Sequence, residues 1–581
     1  MAMKNIPYKV PKHNKEIFID PSIDSIPNSV LANKHKIHTY KIKVAGIPLR
    51  ELRDKTREEL LYKAADYTSM IASLFPKSQA RTLSSVQHNN KRNTSWLAVQ
   101  DKLHVKGQAL DYESIKSIPI IQTGHEPIFY YPGVWIKNHL AYHVAEKVGG
   151  IGVNMIVDND ACNMGFMHMP VLSNTSASIQ KVLFVRDKYK TAYEEIRFDD
   201  FGTIPRFREE VLSLFKKNIS DKNNNVKITI EHMRSMFERF MNCMVESYQQ
   251  GCIDMVGLLT SARCALEKDF FIHNLEIPVS SMCSTDGFYY FLLHILYEAG
   301  RFSKIYNEKL SEYRRIHKIR SHANPLPDLK ISGNLIELPF WTWNAGGQRG
   351  KCYVLDEGEC IKVTQGGDVL ITLKKTGEVD KNLSRLRALL HTDIKIRPRA
   401  ITTTMFSRLF FSDVFIHGIG GAKYDTITDE IIKEFFRIDP PTFITVSATL
   451  FLPFDTFDSD IGTAQRLQND LRNMTYNPDL YASKEIQNDT EFMDKAREKQ
   501  TLLKTADCTA DEKRQRFNKI RELNKLMLNQ IHAEFLKKQQ ELNTVSENLA
   551  YNGVVRFREY PIYIYPMEVL HQYFLSAFSE G

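Results

Sequence analysis

Three short segments carry residue types that can handle an anion or a proton. The first runs from Thr123-Gly-His-Glu-Pro127 through Tyr131-Pro-Gly-Val134. Gly124 and Gly133 let a backbone approach a ligand closely, His125 can donate to a phosphate oxygen, and Lys137, four residues further on, adds positive charge. A tight turn in which His125 satisfies a backbone carbonyl accounts for the same residues. The second is Asp158-Asn159-Asp160, whose two carboxylates can bind an amine, a ribose or a magnesium ion, and which serves equally as a turn and helix cap. The third is His417-Gly-Ile-Gly-Gly-Ala-Lys-Tyr-Asp425. Successive amides around Gly418, Gly420 and Gly421 can point at one anion while Lys423 neutralises it, although the run matches neither the dinucleotide fingerprint nor the P-loop. Arg397-Pro-Arg399, with Thr402, Thr403 and Thr404 behind it, can supply a guanidinium clamp. Phe340, Trp341 and Trp343 can stack on a base, but aromatics at strand spacing more often build a small core.

These segments need a frame that brings them together. The apolar run from Ile118, the helical period at Ile136, Leu140, Val144 and Val148, and a second apolar run Val153 to Val157 describe a strand, a helix and a strand. Such a unit builds a parallel sheet. A second unit follows from Val414 to His417: the glycine run, a helix expected near Thr426 to Phe436, and a strand at Phe443 to Leu452. Ligands of open parallel sheets bind beyond the carboxyl ends of the strands, where all three segments would lie.

The rest of the chain divides by pattern. Residues 1–115 read as a preamble packed on the core, with one amphipathic segment from Thr56 to Phe75. Residues 116–330 form the first half of the core, mainly helical between Phe207 and Ile319. Short glycine-broken strands in 331–378 predict a small β insertion, and 379–482 completes the core. A charged, long-helical stretch at 483–548 predicts an antiparallel helical hairpin arm. There Thr509 and Glu512 fit a capping box, and Phe517, Ile520, Leu523, Met527, Ile531 and Phe535 keep a three/four spacing. In 549–581, Val554 to Tyr565 has strand character around Pro561, which fits an edge strand or an extended tail, and leads into a helix that returns to the core.

Composition narrows the function classes. At 581 residues the chain exceeds one ordinary core, and roughly three or four structural units are expected. Hydrophobic residues make up 43% and charged residues 25%, which is globular rather than fibrous or disordered. The net charge of +8 is a small excess of 77 basic over 69 acidic residues, so nucleic acid is not expected as a partner. Eight cysteines (Cys162, Cys243, Cys252, Cys264, Cys283, Cys352, Cys360 and Cys508) show no paired spacing, so neither a zinc site nor a disulfide framework is expected. No window has the length of a membrane span and the N-terminus lacks a signal-like apolar run, so the expectation is a cytoplasmic protein without a membrane partner.

Taken in order, the segments resemble the bacillithiol-biosynthesis cysteine-adding enzyme family. Gly124-His-Glu-Pro with Pro132-Gly and Lys137 is similar to its glycine/glutamine loop, Val157-Asp-Asn-Asp160 to its acidic strand end, and Arg397-Pro398 with Gly420-Gly421 to its later motifs. His125-Glu126 stands where that family has a glutamine pair, and Asn159 where it has a central histidine. The resemblance implies a Rossmann-like core of the HUP, class I synthetase-like type, with helical layers and a coiled-coil arm through which a homodimer forms. It implies a ligase-like enzyme that joins or activates small metabolites, with ATP or ADP, and magnesium, as candidate ligands. In that scheme His125, Lys137, Arg397 and the 418–421 run hold phosphate while Asp158 and Asp160 orient an amine. Thr123-Gly-His125 is also similar to the histidine loop of nucleotidylyltransferases. The competing reading is a non-catalytic binding or scaffold protein that recruits a partner through the arm.

Overall fold

The computed structural model describes residues 8–75, 116–172, 177–186, 191–219, 224–506 and 509–578. The later part of the preamble, 76–115, and Cys508 lie outside the described residues.

The chain begins with strand β1 (Ile17–Asp20), then helices α1 (Ile26–His38) and α2 (Leu49–Ser73). The first unit is β2 (Ile120–His125), α3 (Pro132–Val148) and β3 (Ile151–Ile156). Pro132 opens α3, where a missing N–H costs nothing, and Gly149 closes it in the left-handed region at φ 64°. A hairpin, β4 (Phe166–Leu172) and β5 (Ala177–Leu183), precedes the helical layer α4 (Thr203–Ile219), α5 (Asn224–Gln249) and α6 (Met255–Glu267). Within the stretch expected to be helical lies a strand, β6 (Leu275–Pro278), followed by α7 (Asp286–Tyr297) and α8 (Ala299–Ile316). Its four residues are too few to show a period, and the sheet rather than propensity makes them a strand.

The β insertion is antiparallel as expected: β7 (Leu335–Asn344), β8 (Gly350–Asp356), β9 (Cys360–Gln365) and β10 (Asp368–Lys374). After α9 (Val379–Ala388) the chain returns to it, and β11 (Ile394–Pro398) pairs with β7, so the sheet includes a strand from beyond residue 378. Helix α10 (Ala400–Phe406) and a π-helical turn Ser407–Phe411 lead into the second unit: β12 (Val414–His417), α11 (Ile419–Phe436) and β13 (Ile444–Ala448).

The main sheet runs β1-β13-β12-β2-β3-β6, with β1 antiparallel and the other five strands parallel. The parallel strands therefore count outward from β2 in two directions, β3 and β6 one way, β12 and β13 the other, and the order reverses between β2 and β12. One face buries Ile121, Ile156, Ile416 and Val446, and the other buries Ile120, Val153, Ile277 and Phe415. Asp413, just ahead of β12, accepts from the Ile120 amide at 2.8 Å and pairs with the buried Arg53 and Arg57 of α2 at 2.9 and 3.2 Å. This ion cluster ties α2 to the two strands at the reversal and sets their common starting level.

The charged C-terminal region is α12 (Ile461–Tyr476), α13 (Thr490–Lys504), α14 (Ala510–Gln530) and α15 (His532–Val555). Thr509 and Glu512 do form the capping box. Leu523, Met527 and Ile531 bury with Met474 and Phe492, so α14 packs on α12 and α13. Phe517, counted on the buried stripe by its spacing, is 64% exposed. The strand expected from Val554 to Tyr565 is absent. Val554 and Val555 end α15, and Ile562–Ile564 form a single 3-10 turn before α16 (Met567–Ser576). Pro561 and Pro566 bracket that turn, and Tyr560, Ile562, Tyr563, Ile564 and Tyr565 are buried by insertion into the core rather than by strand pairing. No helix among the described residues is long and apolar enough to cross a membrane.

Candidate functional site

A cleft opens at the carboxyl ends of β2, β3 and β12, where the strand order reverses, and the insertion sheet supplies its opposite wall. Its cavity volume is about 120 Å³. Gly124, Asn159, Asp160 and Gly421 line it, so the three sequence segments do meet. Trp341, Arg399, Thr403, Thr404, His417 and Tyr424 complete the polar and aromatic lining.

Gly124 has a steric reason: a Cβ there would lie 2.8 Å from Met155 Cε and 2.9 Å from the Met155 carbonyl oxygen on β3. Gly133, at the start of α3, lies against Arg558 instead, away from the lining. His125 stacks edge-on with Tyr130, and its Nδ1 lies 3.3 Å from the Glu126 carbonyl oxygen, the plainer of its two readings. Burial, and then the charge of Lys137, press its pKa down to about 3. A neutral imidazole cannot offset a phosphate's charge. Lys137 is buried and donates to the Gly124 carbonyl oxygen at 2.6 Å, directly behind the lining. Burial lowers its pKa to about 7, with Glu126 pulling the other way.

The acidic tripeptide divides its work because successive side chains leave the backbone in different directions. Asp158 turns from the cleft and accepts from the backbone amide and hydroxyl of Ser280 after β6. Burial, then Glu194, raise it to about 7. Asn159 is 2% exposed and donates to the Pro398 carbonyl oxygen at 2.7 Å, which fastens the insertion sheet to the main sheet. Asp160 lines the cleft and pairs with Arg349 at 2.7 Å. Glu126, which the sequence reading passed over, hydrogen-bonds Asp160; burial and that carboxylate push its pKa up to about 8. The carboxyl groups that share a hydrogen bond are thus Glu126 and Asp160, while Asp158 points away from Asp160 to Ser280.

Arg397 is not a free clamp. Its Nε and Nη2 hold Glu194 in a two-point pair at 2.9 Å each, and it lines no part of the cleft. Arg399, two residues on, past the end of β11 and at the N-cap of α10, takes that place. Its Nη1 bonds Glu337 at 2.9 Å, and its guanidinium sits 4.1 Å from the Trp341 ring centre, with Arg349 at 4.4 Å from the same ring. Trp341 therefore carries two guanidiniums, whereas Phe340 and Trp343 are core residues as strand spacing suggested.

The 418–421 run is not a loop. Gly418 is the N-cap of α11, and Gly420 and Gly421 fall in its first turn. Gly421 faces the cleft, while Gly420 and Lys423 point to solvent, and Lys423 neutralises nothing in it. The first backbone bond within the helix runs from Ala422 N–H to the Gly418 oxygen, so the amides of Ile419, Gly420 and Gly421 stand free at the positive end of an 18-residue helix. His417, ending β12, lies at this same point.

Among the described residues, one group of side chains has metal-ligand spacing, Cys264, Glu267 and Glu276. Arg263 already reaches both carboxylates at 2.6 Å, so a guanidinium supplies the cation there. No protein-family model and no curated protein matches this sequence.

Proposed function

We propose that the chain is a ligase-like enzyme that joins or activates small metabolites in this cleft, using an adenine nucleotide, and that it is a divergent relative of the cysteine-adding enzymes of bacillithiol biosynthesis. The observation that carries the reading is the cleft's position. The parallel strands have the 3-2-1-4-5 order of a Rossmann-like core, and the cleft lies outside their carboxyl ends at the reversal, where such sheets bind ligands.

The donor set fits an anionic group, because α11 begins beside the cleft with its first amides free and Gly421 of its first turn lines it. A magnesium ion held by the protein does not fit: Asp158 is occupied by Ser280 and Asp160 by Arg349. Glu126, raised to about 8, carries a proton at neutral pH on a hydrogen bond with Asp160, which lines the cleft. By the same resemblance, the helical arm would mediate a homodimer, which sedimentation of the intact chain against a chain lacking residues 483–548 would test.

Thermal melting with ATP, ADP and AMP, with and without magnesium, tests the nucleotide. The expected result is a rise in melting temperature with at least one of them that is lost in Gly421→Val. A melting temperature indifferent to all three refutes the reading.

A further inference from the structure

We infer that His417 is the proton acceptor of the cleft, taking a proton at Nδ1 from the X–H group of a substrate amine, thiol or hydroxyl, and that Asp425 is the residue that positions it. The inference deepens the reading of the cleft as a reaction site and rests on it.

The ring is held on every side but one. His417 is 5% exposed and lines the cleft. Phe415 packs against it at 4.5 Å and Phe443 meets it edge-on at 5.2 Å. Its Nε2 lies 2.8 Å from Asp425 Oδ2. That carboxylate also accepts from Arg408 Nη1 at 2.7 Å and from the Thr404 hydroxyl at 2.6 Å, and Arg408 is anchored in turn by Asp429. An ionised carboxylate only accepts, so Nε2 carries the ring proton and Nδ1 keeps its lone pair. This is the arrangement in which a base is oriented by a third group.

Gly421 supplies the independent observation. A Cβ at that position would sit 2.7 Å from His417 Nδ1, so any side chain there would cover the lone pair. Glycine is a poor choice inside a helix, and here it leaves Nδ1 open to the cleft. In the reaction step the X–H bond breaks, its electron pair stays on X, and the proton binds Nδ1. The imidazolium formed keeps its Nε2–H on Asp425, and no other reactant is required. The charged groups acting on the ring are Asp425 of α11, which favours its protonated form, and Arg408 ahead of β12 and Lys137 of α3, which oppose it, as does burial.

Diethyl pyrocarbonate, which acylates an imidazole nitrogen through a free lone pair, tests this on the intact protein, with labelled peptides mapped by mass spectrometry. His417 is expected to label in the native protein, while His139, whose unpartnered Nε2 is sealed in the core, stays unlabelled. Gly421→Ala should slow labelling at His417 at least about tenfold in the folded variant. Asp425→Asn should move the pH midpoint of His417 labelling down by about one unit or more, which a merely structural aspartate would not do. Native His417 that resists the reagent, or labels equally in Gly421→Ala, or keeps its midpoint in Asp425→Asn, overturns the inference. The native measurement decides alone if Gly421→Ala does not fold. Because nucleotide melting is read separately, labelling without a nucleotide shift removes the ligase reading and leaves the base, and the converse removes the base.

Discussion

Replacing Lys137 with methionine should stabilise the protein at neutral pH and destabilise it at high pH. The amine is 3% exposed and its pKa is pulled from 10.5 to about 7, chiefly by burial. Between those two values the unfolded chain binds a proton that the folded chain lacks, so the stability of the native sequence rises as pH climbs through that window. At pH 7 the charge-burial penalty is about 4 kcal/mol. Methionine has a similar length and carries no charge, so it escapes this cost. It also abandons the bond to the Gly124 carbonyl oxygen, which costs about 1–3 kcal/mol. The variant is then about 2 kcal/mol more stable than the native protein at pH 7 and about 1 kcal/mol less stable at pH 10, where the folded lysine is neutral and the remaining charge penalty is below about 1 kcal/mol. Urea unfolding of both proteins at several pH values gives the difference directly. A difference that does not change with pH would show that the fold does not suppress the charge on Lys137, and the argument about the amine behind Gly124 would fail.

Two further outcomes follow from neighbouring groups. Glu126 has its folded pKa raised to about 8, so the folded state binds the extra proton and stability is lost as pH rises from the usual glutamate range through 8. Glu126→Gln should remove that loss, so the native-minus-variant stability should fall by about 3 kcal/mol between pH 5 and pH 8 in the same urea titration. Asp413→Asn strips the charge from a carboxylate that two buried arginines and the Ile120 amide share, and should cost about 3–5 kcal/mol, read as a lower urea midpoint at pH 7. A midpoint within error of the native protein's would mean that the cluster does not tie α2 to the strands.

Much of the frame was readable because it repeats. The period of α3 and the apolar runs on either side announced a parallel unit, and Thr509 with Glu512 announced the start of α14. Strand β6 was not readable, since Leu275–Pro278 is short and lies between helices. Nor was β1, whose four half-buried residues become a strand only by pairing with β13. At the site, the segments around 124, 160 and 421 could be named from glycines and carboxylates, but the working side chains among them could not. Choosing Arg399 over Arg397 depends on Glu194 lying against Arg397, and choosing Asp160 over Asp158 depends on where Ser280 lies. One signal was available and unused. Gly421 and Asp425 are four residues apart and so share a face of α11, directly after a histidine that ends a strand.

What the sequence determined by itself was local and periodic: which long stretches are helices, and that glycines and charged residues cluster in three places. Periodicity and backbone sterics act over a few residues, and a few residues suffice to read them. The tertiary structure decided the partners. It set Arg408 and Thr404 on Asp425, Glu194 on Arg397, Glu126 beside Asp160, and Lys137 out of reach of water. Charge state and direction depend on neighbours hundreds of residues away along the chain, and burial, which moves those pKa values furthest, exists only once the sheet and its layers have closed around them.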